Sequence, residues 1–251
     1  MSDAVGKLSI VTPSFNSVQQ LPALIASLRN QSDKEFEWIV ADGGSNDGTT
    51  ELLGTVADLN LRFSSQPDFG IYDALNRALR SCTGDYYIVA GADDEFAPDA
   101  VARFREAIHR HRTDLIVARV RRGTRVIEIK KGPPWLVAEK AFIANHSLST
   151  AFRVDLHRRF GWYSRRFPIA ADSLFVLQSC QGGASRTAVD FIAGTIGNGV
   201  SVLDWAGAAT ELFRVQLSLG RALTPQVLLL LLRLAKGASL APRSVRDATS
   251  R

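Results

Sequence analysis

Residues 86–97 read YYIVAGADDEFA. An apolar, aromatic-rich run of strand type stops at two adjacent carboxylates, Asp93 and Asp94. Like charges at that spacing repel, so a positive group is expected between or beyond them. What flanks this stretch decides the fold. Upstream, LSIVT (8–12), FEWIVA (36–41) and LRFSS (61–65) are short strand signals. They are separated by VQQLPALIASLRNQS, TTELLGTVADL and GIYDALNRALRSC, which carry helical spacing. Leu21, Leu24, Ile25 and Leu28 share one face of the first helix, and Ile71, Leu75 and Leu79 align on the third. Downstream, PDAVARFREAIHRH opens a helix with Pro98 near its first turn. This alternation predicts an α/β fold, a Rossmann-like and mainly parallel sheet sandwiched by helices.

Ligands of such sheets bind beyond the carboxyl ends of the strands. Thr12 to Asn16, Asp42 to Asp47, Gln66 to Gly70 and Gly91 to Glu95 all follow apolar strands, so parallel pairing gathers these loops on one edge. The second half is less regular. DLIVARV and RVIEIKK resemble paired strands around an arginine and glycine turn, LSTAFRV a further strand, and SLFVLQSCQG a helix behind Asp172. After Asp204 the chain reads as helical, ending in PQVLLLLLRLAKG. No internal repeat or low-complexity linker divides it, which favours one domain with a helical C-terminal appendage.

The chain has 251 residues, 46% hydrophobic and 22% charged, an ordinary globular composition. Its two cysteines, Cys82 and Cys180, fit a reducing compartment rather than a disulfide-stapled secreted domain. MSDAVGKLSIV lacks a signal-peptide core, and no stretch approaches the roughly 20 apolar residues of a membrane span. A cytoplasmic protein is expected. The net charge of +5 is concentrated in residues 103–131 and at Arg158, Arg159, Arg165 and Arg166. For a single arginine this is a solvated face; taken together it is a field that attracts phosphates or an anionic membrane. No motif favours nucleic acid as a partner.

If the edge loops bind a nucleotide diphosphate, its phosphates cannot sit directly against Asp93 and Asp94. A divalent cation removes the conflict, and hard oxygen ligands suit Mg²⁺ or Mn²⁺. Such an ion also neutralises charge growing on a departing diphosphate. The competing reading is an Asp pair capping the helix that starts near Pro98. Asp42, ending a second strand, and Asp68, following a third, shift the balance toward a site.

LSIVTPSFNSVQQLPALIASLRNQ, FEWIVADGGSNDGT, QPDFGIYDALNRAL and GDYYIVAGADDEF, in that order, resemble the bacterial family 2 glycosyltransferases, in the branch that glycosylates cell-surface polysaccharides and glycolipids. The resemblance runs from about Lys7 to Ser201 and implies a GT-A fold and an inverting transfer from a nucleotide sugar. It implies a GT-A domain over 1–204, with a nucleotide-sugar half about 1–97 and an acceptor half about 98–204, and a helical extension over 205–251. Thr12, Pro13 and Ser14 would lie along the base, Asp42 would hydrogen-bond it, and Asp68 and Asn76 would shape the pocket. Asp94 would hold the metal, and Asp93 would serve the ribose or support the metal ligands. Gly43 stands where many relatives carry a second Asp, and Leu75 where others carry an arginine. Both departures leave the donor base open among UDP, dTDP and GDP.

An inverting transfer needs a group to take the acceptor's proton. RRFPIAADSLFVLQ places Asp172 where the family carries this base, with Ala171 replacing the usual Glu. Asp172 also suits a helix N-terminus. His146, in NHSLSTAF, is a packed histidine by default; the resemblance makes it a contact to donor phosphate, metal or acceptor. GTIGNGVS resembles a closing glycine-rich stretch that lines the pocket. His109 and His111 read as structural. TPQVLLLLLRLAKGASLAPRSVR is either an interfacial helix on the inner face of the membrane, a homodimer surface, or a helix docked on the domain. A glycan or lipid-linked acceptor would suit membrane attachment.

The rivals fit less well. A methyltransferase or a dinucleotide oxidoreductase lacks its G-x-G spacing after the first strand, and a nucleotidyltransferase lacks its activating loop. A catalytically silent scaffold leaves Asp94 and Asp172 without a purpose.

Overall fold

The computed structural model describes residues 7–144, 146–197 and 204–240. Residues 198–201 of the expected glycine-rich closing stretch and 241–246 of the basic C-terminal stretch lie outside the described residues, as do residues 1–6.

The expected strands and helices are present in order. Strand β1 (Leu8–Ser14) pairs in parallel with β2 (Phe36–Asp42), Leu8 opposite Phe36 and Ser14 opposite Asp42. β3 (Leu61–Ser65) extends the sheet on the β2 side and β4 (Tyr86–Val89) on the β1 side, both parallel. Both β1 and β2 are buried on two faces, which is why their sequences are continuous rather than alternating. The side chains still alternate between two cores. Leu8, Ile10, Phe36, Trp38, Val40 and Ile88 pack toward helices α1 (Leu21–Arg29) and α4 (Ala100–His111). Val11, Ile39, Ala41, Tyr87 and Val89 pack toward α3 (Ile71–Arg80).

The α1 face is as expected, with Leu21, Leu24, Ile25 and Leu28 all buried. The α3 face is rotated from expectation: Ile71 is exposed, and Tyr72, Leu75 and Leu79 are buried. Helix α2 (Thr49–Gly54) is shorter than the span from Thr49 to Leu59 suggested.

Beyond β4 the sheet becomes mixed, in the order β3-β2-β1-β4-β8-β6-β9-β5 with β7 on β6. The expected hairpin is β6 (Leu115–Arg122) with β7 (Arg125–Ile127), antiparallel. β8 (Thr150–Arg153) runs antiparallel to both β4 and β6. Two strands have no counterpart in the sequence reading. β9 (Arg186–Thr195) pairs in parallel with β6, and the short β5 (Glu95–Phe96) is antiparallel to β9. β9 carries register shifts and mixes exposed and buried positions, so its periodicity is poor.

Helices α5 (Pro134–Val137), α6 (Leu156–Phe160) and α7 (Ala171–Gln181) lie between β7 and β9 in the chain. Two more, Trp205–Ser218 and Leu223–Leu240, form the C-terminal region. Val215 of the first is fully buried in the same core as α3 and α7.

A polar chain threads this second core. His157 Nδ1 lies 3.0 Å from the Gly161 carbonyl, which can only accept, so Nδ1 carries the proton. Nε2 therefore accepts from the Tyr87 hydroxyl at 2.8 Å, and the Tyr163 hydroxyl donates to Tyr87 at 3.0 Å. Burial pushes His157 down to about 4, consistent with a neutral ring.

Candidate active site

The loops after β1, β2 and β3 close around one carboxylate. Asp42 is fully buried. Its Oδ1 accepts from Ser14 Oγ at 3.0 Å and Ser45 Oγ at 2.5 Å. Its Oδ2 accepts from Gly44 N at 3.0 Å, Ser45 N at 2.8 Å and Ser65 Oγ at 2.6 Å. Burial raises the Asp42 pKa, and these donors more than reverse that, leaving it below the ordinary carboxylate range. Asp42, expected to hydrogen-bond the base, is held here by protein donors from three loops. With every acceptor position taken by protein donors, Asp42 knits the loops rather than facing a ligand.

Thr12 and Asn76, two other residues expected at the nucleotide pocket, also have protein partners. Thr12 is fully buried, and its Oγ1 accepts from Trp38 Nε1 at 3.0 Å, so its side chain belongs to the core. Asn76 is buried and pairs with the Tyr163 backbone, donating to its carbonyl at 2.8 Å and accepting from its N–H at 3.0 Å. It fastens the segment after α6 onto α3 instead of lining the pocket. Pro13 is partly buried, and Ser14 is turned onto Asp42.

Asp68 lies in the loop after β3. Its Oδ1 accepts from Gly70 N at 2.9 Å, and its Oδ2 lies 4.0 Å from Arg77 Nη2, which also donates to the Asp42 carbonyl at 2.6 Å. A Cβ built on Gly43 would lie 2.9 Å from Asp68 Oδ2 and 3.3 Å from the Phe15 ring. That crowding explains the glycine: a second Asp there would push Asp68 and Phe15 apart. Phe15 is 63% exposed and Phe69 84% exposed. These aromatic faces, set at the sheet edge among polar loops, were missed in the sequence. The available signal was an aromatic inside a turn, in PSFNS and PDFG.

The second cluster is acidic. Asp93 is exposed, whereas Asp94 beside it is fully buried. Asp94 Oδ2 accepts from Gly91 N at 2.7 Å and Oδ1 from Gly197 N at 3.2 Å. A side chain on Gly197 would collide with Asp93 Oδ2, so the backbone at Gly197 passes close against this corner. Burial pushes the Asp94 pKa up, the two N–H groups oppose that, and Asp93 adds to it. His146 Nε2 stands 3.8 Å from Asp94 Oδ1, and its Nδ1 accepts from Leu148 N at 3.2 Å. Nδ1 is thus unprotonated and Nε2 holds the proton on the side of Asp94.

Asp172 stands in the first turn of α7. Asp172 Oδ1 lies 2.8 Å from the Tyr72 hydroxyl and accepts from Ser173 N at 2.7 Å. Its Oδ2 has no hydrogen-bond partner among the described residues. Burial pushes the Asp172 pKa up, against those two donors. Burial and the charge of Asp172 hold Tyr72 well above the ordinary phenol value, so Tyr72 stays a donor. Glu139, also missed in the sequence, is a buried acid whose pKa is raised by burial and by the charge of Asp172.

Among the described residues no three His, Cys, Asp or Glu side chains form a metal cluster. Two neighbouring carboxylates are nevertheless what Mg²⁺ or Mn²⁺ requires when diphosphate and water complete the shell. Each Asp94 oxygen accepts one backbone N–H and keeps a lone pair, and Asp93 beside it is exposed, so this donor set fits such an ion.

A match to the family described as "Glycosyl transferase family 2" spans residues 9–178. The chain is 30% identical over 175 residues to a PGL/p-HBAD biosynthesis glycosyltransferase of Mycobacterium bovis (strain BCG / Pasteur 1173P2), covering 67% of this chain and 68% of that protein. It is 40% identical over 114 residues to the uncharacterized glycosyltransferase YfnE of Bacillus subtilis (strain 168), covering 44% of this chain and 29% of that one. Solved structures share the fold at lower identity. S. aureus TarS 1-349 in complex with UDP-GlcNAc aligns with a TM-score of 0.66 at 18% identity, over 94% of this chain and 73% of that one. The whole of TarS is longer, and the chain spans 44% of it. The mannosyltransferase PcManGT of Pyrobaculum calidifontis, in complex with GDP-Man and Mn2+, aligns with a TM-score of 0.65 at 17% identity, over 98% of this chain and 79% of that one. Strand order, loop placement and these likenesses agree: the chain is a GT-A glycosyltransferase belonging to glycosyl transferase family 2.

Proposed function

We propose that this glycosyltransferase moves a sugar from a nucleotide diphosphate donor to a hydroxyl of a glycan or lipid-linked acceptor, with inversion and with Asp172 as the base. The observation that carries the reading is the state of Asp172. One oxygen is fixed by Tyr72 and Ser173, the other is free, and the pKa is raised toward the range in which a carboxylate accepts protons well. The acceptor oxygen attacks the anomeric carbon from the face opposite the diphosphate, and its proton passes to Asp172 Oδ2. The bond from carbon to phosphate oxygen breaks, and the electron pair leaves with the diphosphate. Phe15, Gly43 and Asp68 form the base side of the pocket, and Asp93, Asp94 and His146 the diphosphate side. Mg²⁺ or Mn²⁺ held by Asp94 beside Asp93 would neutralise charge on the departing diphosphate. The neighbours bound to UDP-GlcNAc and GDP-Man support a nucleotide-sugar donor, and the mycobacterial relatives named for PGL/p-HBAD biosynthesis support a biosynthetic transfer.

A thermal-shift screen with UDP, dTDP and GDP sugars, each with and without Mn²⁺, tests this. One nucleotide class should raise Tm by several degrees, more with the metal, because a ligand at 100 times its Kd adds roughly 2.7 kcal/mol. Stabilisation by S-adenosylmethionine with none by any nucleotide sugar would reverse the reading.

The acceptor side supports attachment to an anionic bilayer. No helix among the described residues is long and apolar enough to cross a membrane. Yet Leu223, Leu228, Leu231 and Leu232 are each more than half exposed, beside exposed Trp135 and Leu136. Burial, and then the charges of Lys130, Arg233 and Lys236 nearby, push the Lys140 pKa down, so cations gather around Lys140. Apolar side chains flanked by cations suit a surface of anionic lipid. Sedimentation with vesicles containing phosphatidylglycerol should recover the protein, phosphatidylcholine alone should not, and Leu228→Glu should abolish recovery. No vesicle binding, with a concentration-dependent dimer lost in the same variant, would replace the membrane by a second copy.

A further inference from the structure

We infer that Glu211, on the C-terminal helix Trp205–Ser218, is a positioning residue for the base: it clamps the turn that delivers Asp172. This rests on the reading of Asp172 given above, and it brings into the active site an element beyond residues 9–178, where the family match ends.

The turn before α7 presents N–H groups that no helical carbonyl can satisfy. Neither Ile169 nor Ala170 bonds its N–H to backbone there. Both donate to the same oxygen, Glu211 Oε2, at 2.8 and 2.9 Å. Glu211 is 7% exposed. From the other side the Tyr72 hydroxyl lies 2.9 Å from the Ile169 carbonyl and 2.8 Å from Asp172 Oδ1. The turn is therefore held between a carboxylate behind it and a phenol in front. Glu211 is itself anchored: Val215, one turn on, is fully buried in the core that contains Tyr72, Ala170 and Phe175, and the Arg214 guanidinium sits 5.3 Å from the centre of the Phe167 ring. Hydrogen bonds to a charged acceptor are stronger than neutral ones, and a base displaced by an ångström loses much of its rate.

Glu211→Ala frees the two N–H groups, and Asp172 drifts from both Tyr72 and the acceptor hydroxyl. Glu211→Gln keeps an amide oxygen for the same N–H groups and can turn its amine toward the side where Glu211 Oε1 has no protein partner among the described residues. The experiment measures kcat, donor KM and the pH profile of both variants, beside Asp172→Asn. Deuterium exchange of the 165–175 backbone is followed in parallel. The expected result for Glu211→Ala is a kcat lowered about 10- to 100-fold, a donor KM within about twofold, an acid limb displaced from the wild-type position, and faster exchange at 169–172. Glu211→Gln should recover most of kcat. Wild-type kcat and exchange in Glu211→Ala would overturn the assignment, as would equal kcat losses in Ala and Gln variants that fold. If Glu211→Ala does not fold, the Gln variant decides alone: near-native kcat supports the clamp, and a 10-fold loss with native melting overturns it. An active Asp172→Asn would instead remove the base reading, and the exchange data would still report whether Glu211 holds the turn.

Discussion

Asp172→Asn is expected to lower kcat by about 10²–10⁴-fold, the range general-base catalysis supplies, while nucleotide affinity persists. The substitution is nearly isosteric, and an amide oxygen can still accept from Tyr72 and from Ser173 N. What disappears is the basic Oδ2. The variant should also melt at or above the wild-type temperature, because burial raises the folded pKa of Asp172 above its unfolded value. At a pH above that folded pKa the ionised form disfavours the native state, and a neutral side chain removes this cost. The same shift sets the pH dependence. Activity needs the carboxylate, so kcat/KM should fall as pH drops through the raised pKa of Asp172, at higher pH than an ordinary carboxylate would give. Tyr72→Phe removes a hydrogen bond that favours the ionised form, so it should move this limb further toward neutral pH. Wild-type turnover in Asp172→Asn, or a limb unmoved by Tyr72→Phe, contradicts the assignment.

Asp94→Ala should abolish the Mn²⁺ dependence of nucleotide binding and lower kcat by roughly 10²-fold or more, since a metal at a departing oxygen supplies several kcal/mol. It should also lower stability. Gly91 N and Gly197 N both donate to Asp94, and each N–H left buried and unpaired costs about 1–3 kcal/mol, a fall of several degrees in Tm. Asp93→Asn provides the contrast. Asp93 is exposed, so its loss should leave the fold intact and act on donor binding alone. Calorimetric titration of the donor nucleotide with and without Mn²⁺, beside melting curves, separates the two effects. A divalent dependence unchanged in a folded Asp94→Ala places the ion elsewhere.

Much of the nucleotide half was legible because it is periodic. Strands β1, β2 and β4 are apolar runs followed by Ser, Asp or Gly, whereas β3 at the sheet edge is largely exposed. Asp42, Asp68, Asp93 and Asp94 could be placed on one edge from order alone. Their individual states could not. Asp93 and Asp94 are neighbours in the chain, yet one is exposed and the other enclosed by backbone from Gly91 and from Gly197, 103 residues away. Asn76 and Asp42 are polar residues of the right type beside a pocket, and both are spent on other parts of the protein. The acceptor half was less legible still. β5 and β9 are short or irregular, and Glu139 and Glu211 sit in stretches with no motif.

By itself, the sequence determined that this chain builds an α/β sheet whose first four strands are parallel and carry acidic loops at their carboxyl edge, and which family it resembles. These are consequences of local periodicity and of motifs read within a few residues, where strand, turn and helix preferences act. Only the tertiary structure decided which carboxylates stay free for chemistry and which are saturated by protein donors. Availability depends on burial and on hydrogen-bond partners tens of residues away, as Tyr72 meets Asp172 and Glu211 meets Ile169. No window of sequence contains those distances.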